Sequence, residues 1–211
     1  LILLGSIVVP ASVLTFAAST PGAVLVPAGT LAFTAIAGGI IGTVAAGTLE
    51  YDVLHRLGAL PMIFVALIEE AAKLIVPVLV LIFTTVRRSG RAGVVVGVAS
   101  GMGFATLETM GYGFSALLSS GNLAAVDQTL LLRALLAPAG HVAWTGLTTA
   151  AVWSIPGARR KGAAVLRAVG VFLAAVLLHA AWDGFPSLLM HLIVGAISLT
   201  ALRLTIHWAH R

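Results

Sequence analysis

Two adjacent glutamates stand inside an otherwise apolar run, and chemistry has to start from them. Glu69 and Glu70 sit in ALIEEAAKLIVP, with Lys73 one helical turn further on. Glu108 lies in GFATLET, His141 in GHVAWTG, and His179 with Asp183 in HAAWD. Neighbouring carboxylates in a low-dielectric setting do not both stay ionised cheaply, so their protonation states separate. That separation is what a water-activating base and a proton donor require. The two imidazoles can bind an oxyanion, carry a proton, or ligate a metal together with a carboxylate. Every one of these routes turns water against a carbonyl. Hydrolysis of a peptide bond within or beside a membrane helix is the reaction class these groups fit.

Taken singly, the same residues have ordinary readings. Glu69 and Lys73 form a one-turn ion pair in any helix, although that leaves Glu70 without a reason. Trp144 and Trp182 read as packing or interfacial aromatics. His55, His191, His207 and His210 read as interfacial, with no assigned role. A proton-coupled transporter also places Glu, His and Asp near the midplane, but it is usually built from paired halves with broken helices, and no repeat is visible here. A non-catalytic membrane scaffold is the third class. It predicts that Glu70→Gln is silent in the cell, whereas an enzyme loses cleavage.

The elements that position these groups are membrane helices. Of 211 residues, 60% are hydrophobic and only 9% charged, too few charges to cover a soluble domain of this length. The apolar residues run in blocks near the roughly 20 residues that a 30 Å hydrocarbon core takes, and they do not alternate, which excludes a barrel. The expected fold is therefore all-α, a polytopic transmembrane bundle of about seven spans: 1–18, 28–48, 60–84, 92–118, 131–154, 164–184 and 187–206. A Pro- and Gly-bearing turn is expected over 19–27, and a polar interfacial loop over 49–59 with Glu50, Asp52, His55 and Arg56. Residues 1–211 form one transmembrane domain, with its working core over roughly 60–185. Leu1 lies within an apolar run, so a preceding segment is expected. With no cysteine, thiolate chemistry and disulfides are excluded. The net charge of +5 sits in short loops and is no nucleic-acid signal.

Those loops orient the chain. Arg87, Arg88 and Arg91 follow the third segment, Arg159, Arg160 and Lys161 follow the fifth, and Arg211 ends the chain. Alternation puts all of them on one side, cytoplasmic by the positive-inside rule, leaving Arg56 and Arg133 on the other. Loops 85–91 and 155–163 are thus expected in the cytoplasm. Depth then becomes informative. At 1.5 Å per residue, Glu69, Glu70, Glu108 and His141 fall about 14–15 Å from the outer ends of their segments, with His179 about one turn shallower. An ionisable group in a span costs on the order of 3 kcal/mol, and scattered structural groups have no reason to share a depth. One site in the outer half of the bilayer is expected. Gly93, Gly97, Gly101 and Ala105 form a close-packing stripe, and Glu108 falls on its face. His179 and Asp183 are four apart, so the carboxylate can orient the imidazole. Which element gates the substrate stays open at this point: the second and third segments are candidates, because Gly38, Gly39, Gly42 and Gly47 could allow movement.

Over roughly residues 60–185 the chain resembles the PrsW-type intramembrane proteases, relatives of the CAAX prenyl endopeptidases. EEAAK (69–73) matches their EExxK motif, and FATLE (104–108) their second glutamate motif. HVAW (141–144) and HAAWD (179–183) look like their two histidine motifs, in order. Prenyl endopeptidases typically carry Arg where Lys73 stands and His where Glu108 stands, so both positions side with PrsW. The resemblance implies a bacterial cytoplasmic-membrane endopeptidase that cuts membrane-anchored, single-pass regulators such as anti-sigma factors near the outer face. It implies Glu69 and Glu70 as essential carboxylates, completed by Glu108, His141 and His179, with Lys73 and Asp183 in support. A zinc-dependent and a metal-free glutamate mechanism both remain open. If zinc is used, Glu108, His141 and His179 are the expected ligands, and HExxH is absent.

Overall fold

The computed structural model describes residues 1–19, 25–58, 60–185 and 187–208. The described residues form eight α-helices and no strand. They are α1 (Ile2–Ala18), α2 (Ala28–Leu57), α3 (Met62–Phe83), α4 (Gly90–Ser120), α5 (Leu123–Leu136), α6 (His141–Trp153), α7 (Lys161–Gly184) and α8 (Leu188–Trp208). Four of them, α2, α4, α7 and α8, are long and apolar enough to cross a bilayer. At 22 residues α3 has comparable length, but it carries Glu69, Glu70 and Lys73 in its interior. The apolar α1 is shorter, at 17 residues.

The expected seven-segment division needs two corrections. Segment 131–154 is not one helix: α5 ends at Leu136, a 3-10 turn covers Ala137–Ala139, and α6 starts at His141. Pro138 and Gly140 explain the break, since proline supplies no N–H and Gly140 adopts φ −102°, ψ −115°, outside the helical region. The resulting helices of 14 and 13 residues are each about 20 Å long, short of a 30 Å core. Of the interfacial loop expected over 49–59, residues 49–57 are instead the last turns of α2, and residue 59 lies outside the described residues. Between Gly47 and Gly58 no glycine or proline interrupts the helix, and Gly58 closes it in the left-handed conformation (φ 67°), its N–H on Leu54 O. Within the turn expected over 19–27, residues 20–24 lie outside the described residues, as do His210 and Arg211.

α4 is the axis of the bundle, sheathed along most of its length. Its glycine stripe meets α6 in antiparallel order: Gly90 against Ala150, Gly93 against Trp153, Gly97 against Thr145 and Thr149, Gly101 against His141 and Thr145. The start of α4 therefore lies beside the end of α6, so the basic loops that follow α3 and α6 share one end of the bundle. On its other side α4 packs parallel to α2, Gly38 against Ser100 and Gly39 against Gly103. A Cβ at Gly39 or Gly103 would run into the opposing backbone. Gly38, Gly39 and Gly42 are the contact by which α2 is fixed to α3 and α4, whereas Gly47 meets nothing within 4 Å.

Candidate active site

Lys73 is the hub. Fully buried on α3, its ammonium lies 2.8 Å from Glu70 Oε1, 3.1 Å from Glu69 Oε2 and 2.7 Å from His141 Nδ1. Its remaining side is closed by the ring of Phe104, 4.3 Å from Nζ. The local backbone follows from Pro77. Lacking an N–H, Pro77 leaves the carbonyl of Lys73 without a helical donor, and Ser100 Oγ on α4 donates to it at 2.9 Å. Ser100→Ala is expected to strip that buried carbonyl of its partner, at a cost of about 1–2 kcal/mol. Thermal unfolding of the purified protein checks it, and an unchanged midpoint would contradict this role for Ser100.

Donor and acceptor chemistry then fixes both imidazoles. An ammonium only donates, so His141 Nδ1 presents its lone pair to Lys73 and Nε2 carries the proton, facing Glu108 Oε2 across 2.8 Å. A carboxylate only accepts, so His179 Nδ1–H donates to Glu70 Oε1 at 3.0 Å, while Nε2 has no hydrogen-bond partner among the described residues. One nitrogen of each ring lies near the same carboxylate oxygen. Glu69 Oε2 is 3.9 Å from His141 Nδ1 and 3.6 Å from His179 Nε2. The rings stand edge to face at 5.0 Å, and Trp144 stacks on His179 at 4.8 Å, anchored by its indole N–H on Ser198 Oγ. Asp183 Oδ2 approaches His179 Nε2 at 3.0 Å and is the most exposed of the site carboxylates.

All seven residues expected from the sequence thus meet, from α3, α4, α6 and α7. His141 reaches the common layer by starting a helix there, and not by sitting midway along a span. One residue was missed. Arg133 on α5, read as an outer-side charge, places Nη2 2.6 Å from Glu108 Oε2, its Nε–H on Thr109 Oγ1 and its guanidinium over the ring of Tyr112. Nothing in the sequence separates such a cation from an interfacial anchor. Glu50 is a second surprise: the helical course of 49–57 leaves it half-buried, with Oε1 shielded from solvent and unpartnered among the described residues.

The donor set fits a divalent cation. Ligand atoms of Glu69, His141 and His179 lie within 4.8 Å of one another. Glu69 Oε2 and His179 Nε2 are buried and have no hydrogen-bond partner: Lys73 and Asp183 come close, but off the bonding direction. Formal charge agrees. With both imidazoles neutral, the contacting groups comprise four carboxylates (Glu69, Glu70, Glu108, Asp183) against two fixed cations (Lys73, Arg133), leaving two negative charges. Uncompensated buried charge is costly, and a dication removes it. The carboxylate in the converging group is Glu69. Glu108, expected as a ligand, lies behind His141 on Nε2, and Glu70 stands likewise behind His179.

A family profile described as PrsW family intramembrane metalloprotease matches residues 26–207. No curated protein matches the chain. No solved structure matches it either.

Proposed function

Because the chain belongs to the PrsW family of intramembrane metalloproteases, we propose that it hydrolyses a peptide bond of a membrane-anchored protein at the Glu69–His141–His179 cluster. The observation that carries this is the gathering of one ligand atom each from Glu69, His141 and His179 within 4.8 Å of one another, all three residues buried. Glu69, His141 and His179 would hold the metal; two nitrogen donors and one carboxylate suit zinc. When bound, such an ion polarises a carbonyl and makes water a nucleophile near neutral pH.

The chain's own residues do the rest. Glu70 and Glu108 accept or face the distal ring protons of His179 and His141, fixing which nitrogen each ring presents. Lys73 holds the countercharge of Glu69 and Glu70. Asp183, beside His179 Nε2 and lining the cavity above the site, takes the proton of the attacking water and returns it to the leaving amine. Asp183→Asn is therefore expected to lower kcat by about 10²–10⁴-fold with little change in KM. A fluorogenic membrane substrate in vesicles reads this directly, and an unaltered kcat would remove Asp183 from proton transfer.

The substrate is a single-pass membrane protein of the anti-sigma-factor type. The setting is the bacterial cytoplasmic membrane, with loops 85–91 and 155–163 on the cytoplasmic side and the site in the outer half. Protein reconstituted with such a substrate is expected to cut it, to stop when treated with a chelator, and to resume with zinc. Cutting that persists undiminished after complete metal removal would leave the glutamate mechanism in its place.

A further inference from the structure

A cavity of about 420 Å³ leads to the site from the end of the bundle away from the basic loops. Its floor includes His141 and Asp183, and its walls are Leu132 and Leu136 of α5 and Leu188 of α8. A second cavity, about 220 Å³, lies between α1, α2 and α4, with Ile36 and Leu107 among its walls and none of the site groups. Of these two the first reaches the site groups, and its size falls in the usual range of roughly 300–1,000 Å³ for ligand pockets.

Its floor also ends on Gly140, the uncapped start of α6. No side chain caps α6 at Gly140, and the first N–H groups of a helix have no partner within it. In a membrane protein an unmet amide costs several kcal/mol, so an acceptor arriving through the cavity gains at this helix start. The unpartnered Glu69 Oε2 and His179 Nε2 lie beside the same first turn, through His141. A carbonyl oxygen that gains negative charge is the acceptor a helix start favours most.

Resting on the reading of the chain as a protease, we propose that the cleft between α5 and the α7–α8 junction is where the substrate backbone lies, extended, with its scissile carbonyl at the start of α6. The occupant is an unwound stretch of a membrane-inserted substrate, because a helical carbonyl is already bonded within its own helix. Its apolar side chains meet Leu132, Leu136 and Leu188. The ion pair between Arg133 and Glu108 ties α5, one wall of the cleft, to the site itself.

The chain has no cysteine, so a pair introduced as Leu136→Cys and Leu188→Cys can be joined across the cleft by a reducible bis-maleimide. Joining is expected to slow cleavage of a single-pass substrate in vesicles by about tenfold or more, with recovery on reduction. The same linker across Ile36→Cys and Leu107→Cys is expected to leave the rate as it was. A joined Leu136→Cys/Leu188→Cys protein that cuts as fast as the unjoined one overturns the cleft proposal while leaving the protease reading standing. Failure of the wild-type protein to cut any membrane-anchored substrate overturns that reading, and the cleft proposal with it.

Discussion

Replacing Glu69 by glutamine is expected to lower cleavage by about three decades or more, the several kcal/mol that a correctly held metal contributes to a hydrolytic transition state. The substitution is nearly isosteric, so α3 keeps its packing. What it removes is the negative charge on the one oxygen that lies near both His141 Nδ1 and His179 Nε2. Bound zinc is expected to fall well below one per chain in the same preparation. Glu108→Gln provides the contrast. Its carboxylate faces the protonated Nε2 of His141, so its loss should cost about 10–100-fold in metal affinity, the effect of a carboxylate that orients a ligand. Equal loss of metal in both variants would mean that Glu69 and Glu108 share one role, contrary to the geometry.

Lys73→Met carries the largest expected effect on stability. The ammonium it removes is fully buried and touches both Glu69 and Glu70. Breaking a buried ion pair by deleting one partner costs about 3–5 kcal/mol, because the other charge is left uncompensated. Two features separate this from simple loss of packing. Lys73 holds the lone pair of His141 Nδ1 that a metal would also need, so ammonium and dication compete for it. Zinc is therefore expected to return much of the lost stability to Lys73→Met, and far less to Lys73→Met combined with Glu69→Gln. Adding Glu70→Gln to Lys73→Met is also expected to restore stability, by removing one stranded charge. Denaturant titrations of the four proteins, with and without zinc, measure both effects. If zinc raises the stability of Lys73→Met no more than that of the wild type, the competition is not real.

Much of the site was legible because a bilayer makes polarity expensive. Glu69, Glu70 and Lys73 in an apolar run, and histidines on two further segments, stand out only against that cost. Counting depth along each segment then brought four helices to one layer. For His141 the count assumed one unbroken segment over 131–154; the residue instead starts α6, where Gly101 of α4 meets it. The break itself was signalled by Pro138 and Gly140, but a long apolar stretch outweighed them. What stayed hidden were pairings across helices. Pro77 announces a free carbonyl on Lys73 without naming Ser100 as its donor. Arg133 reads as an interfacial cation until α5 folds it onto Glu108. The order of carboxylates around the histidines, Glu69 between them with Glu70 and Glu108 behind, depends on which ring nitrogen faces which helix, and spacing carries no such information.

The measurement that tests this account most directly is the anomalous scattering of zinc-loaded crystals at the zinc edge. One peak among Glu69 Oε2, His141 Nδ1 and His179 Nε2, with Lys73 no longer on His141, is the predicted result. A peak coordinated by Glu108 in place of Glu69, or no peak in protein that cuts its substrate, would contradict it.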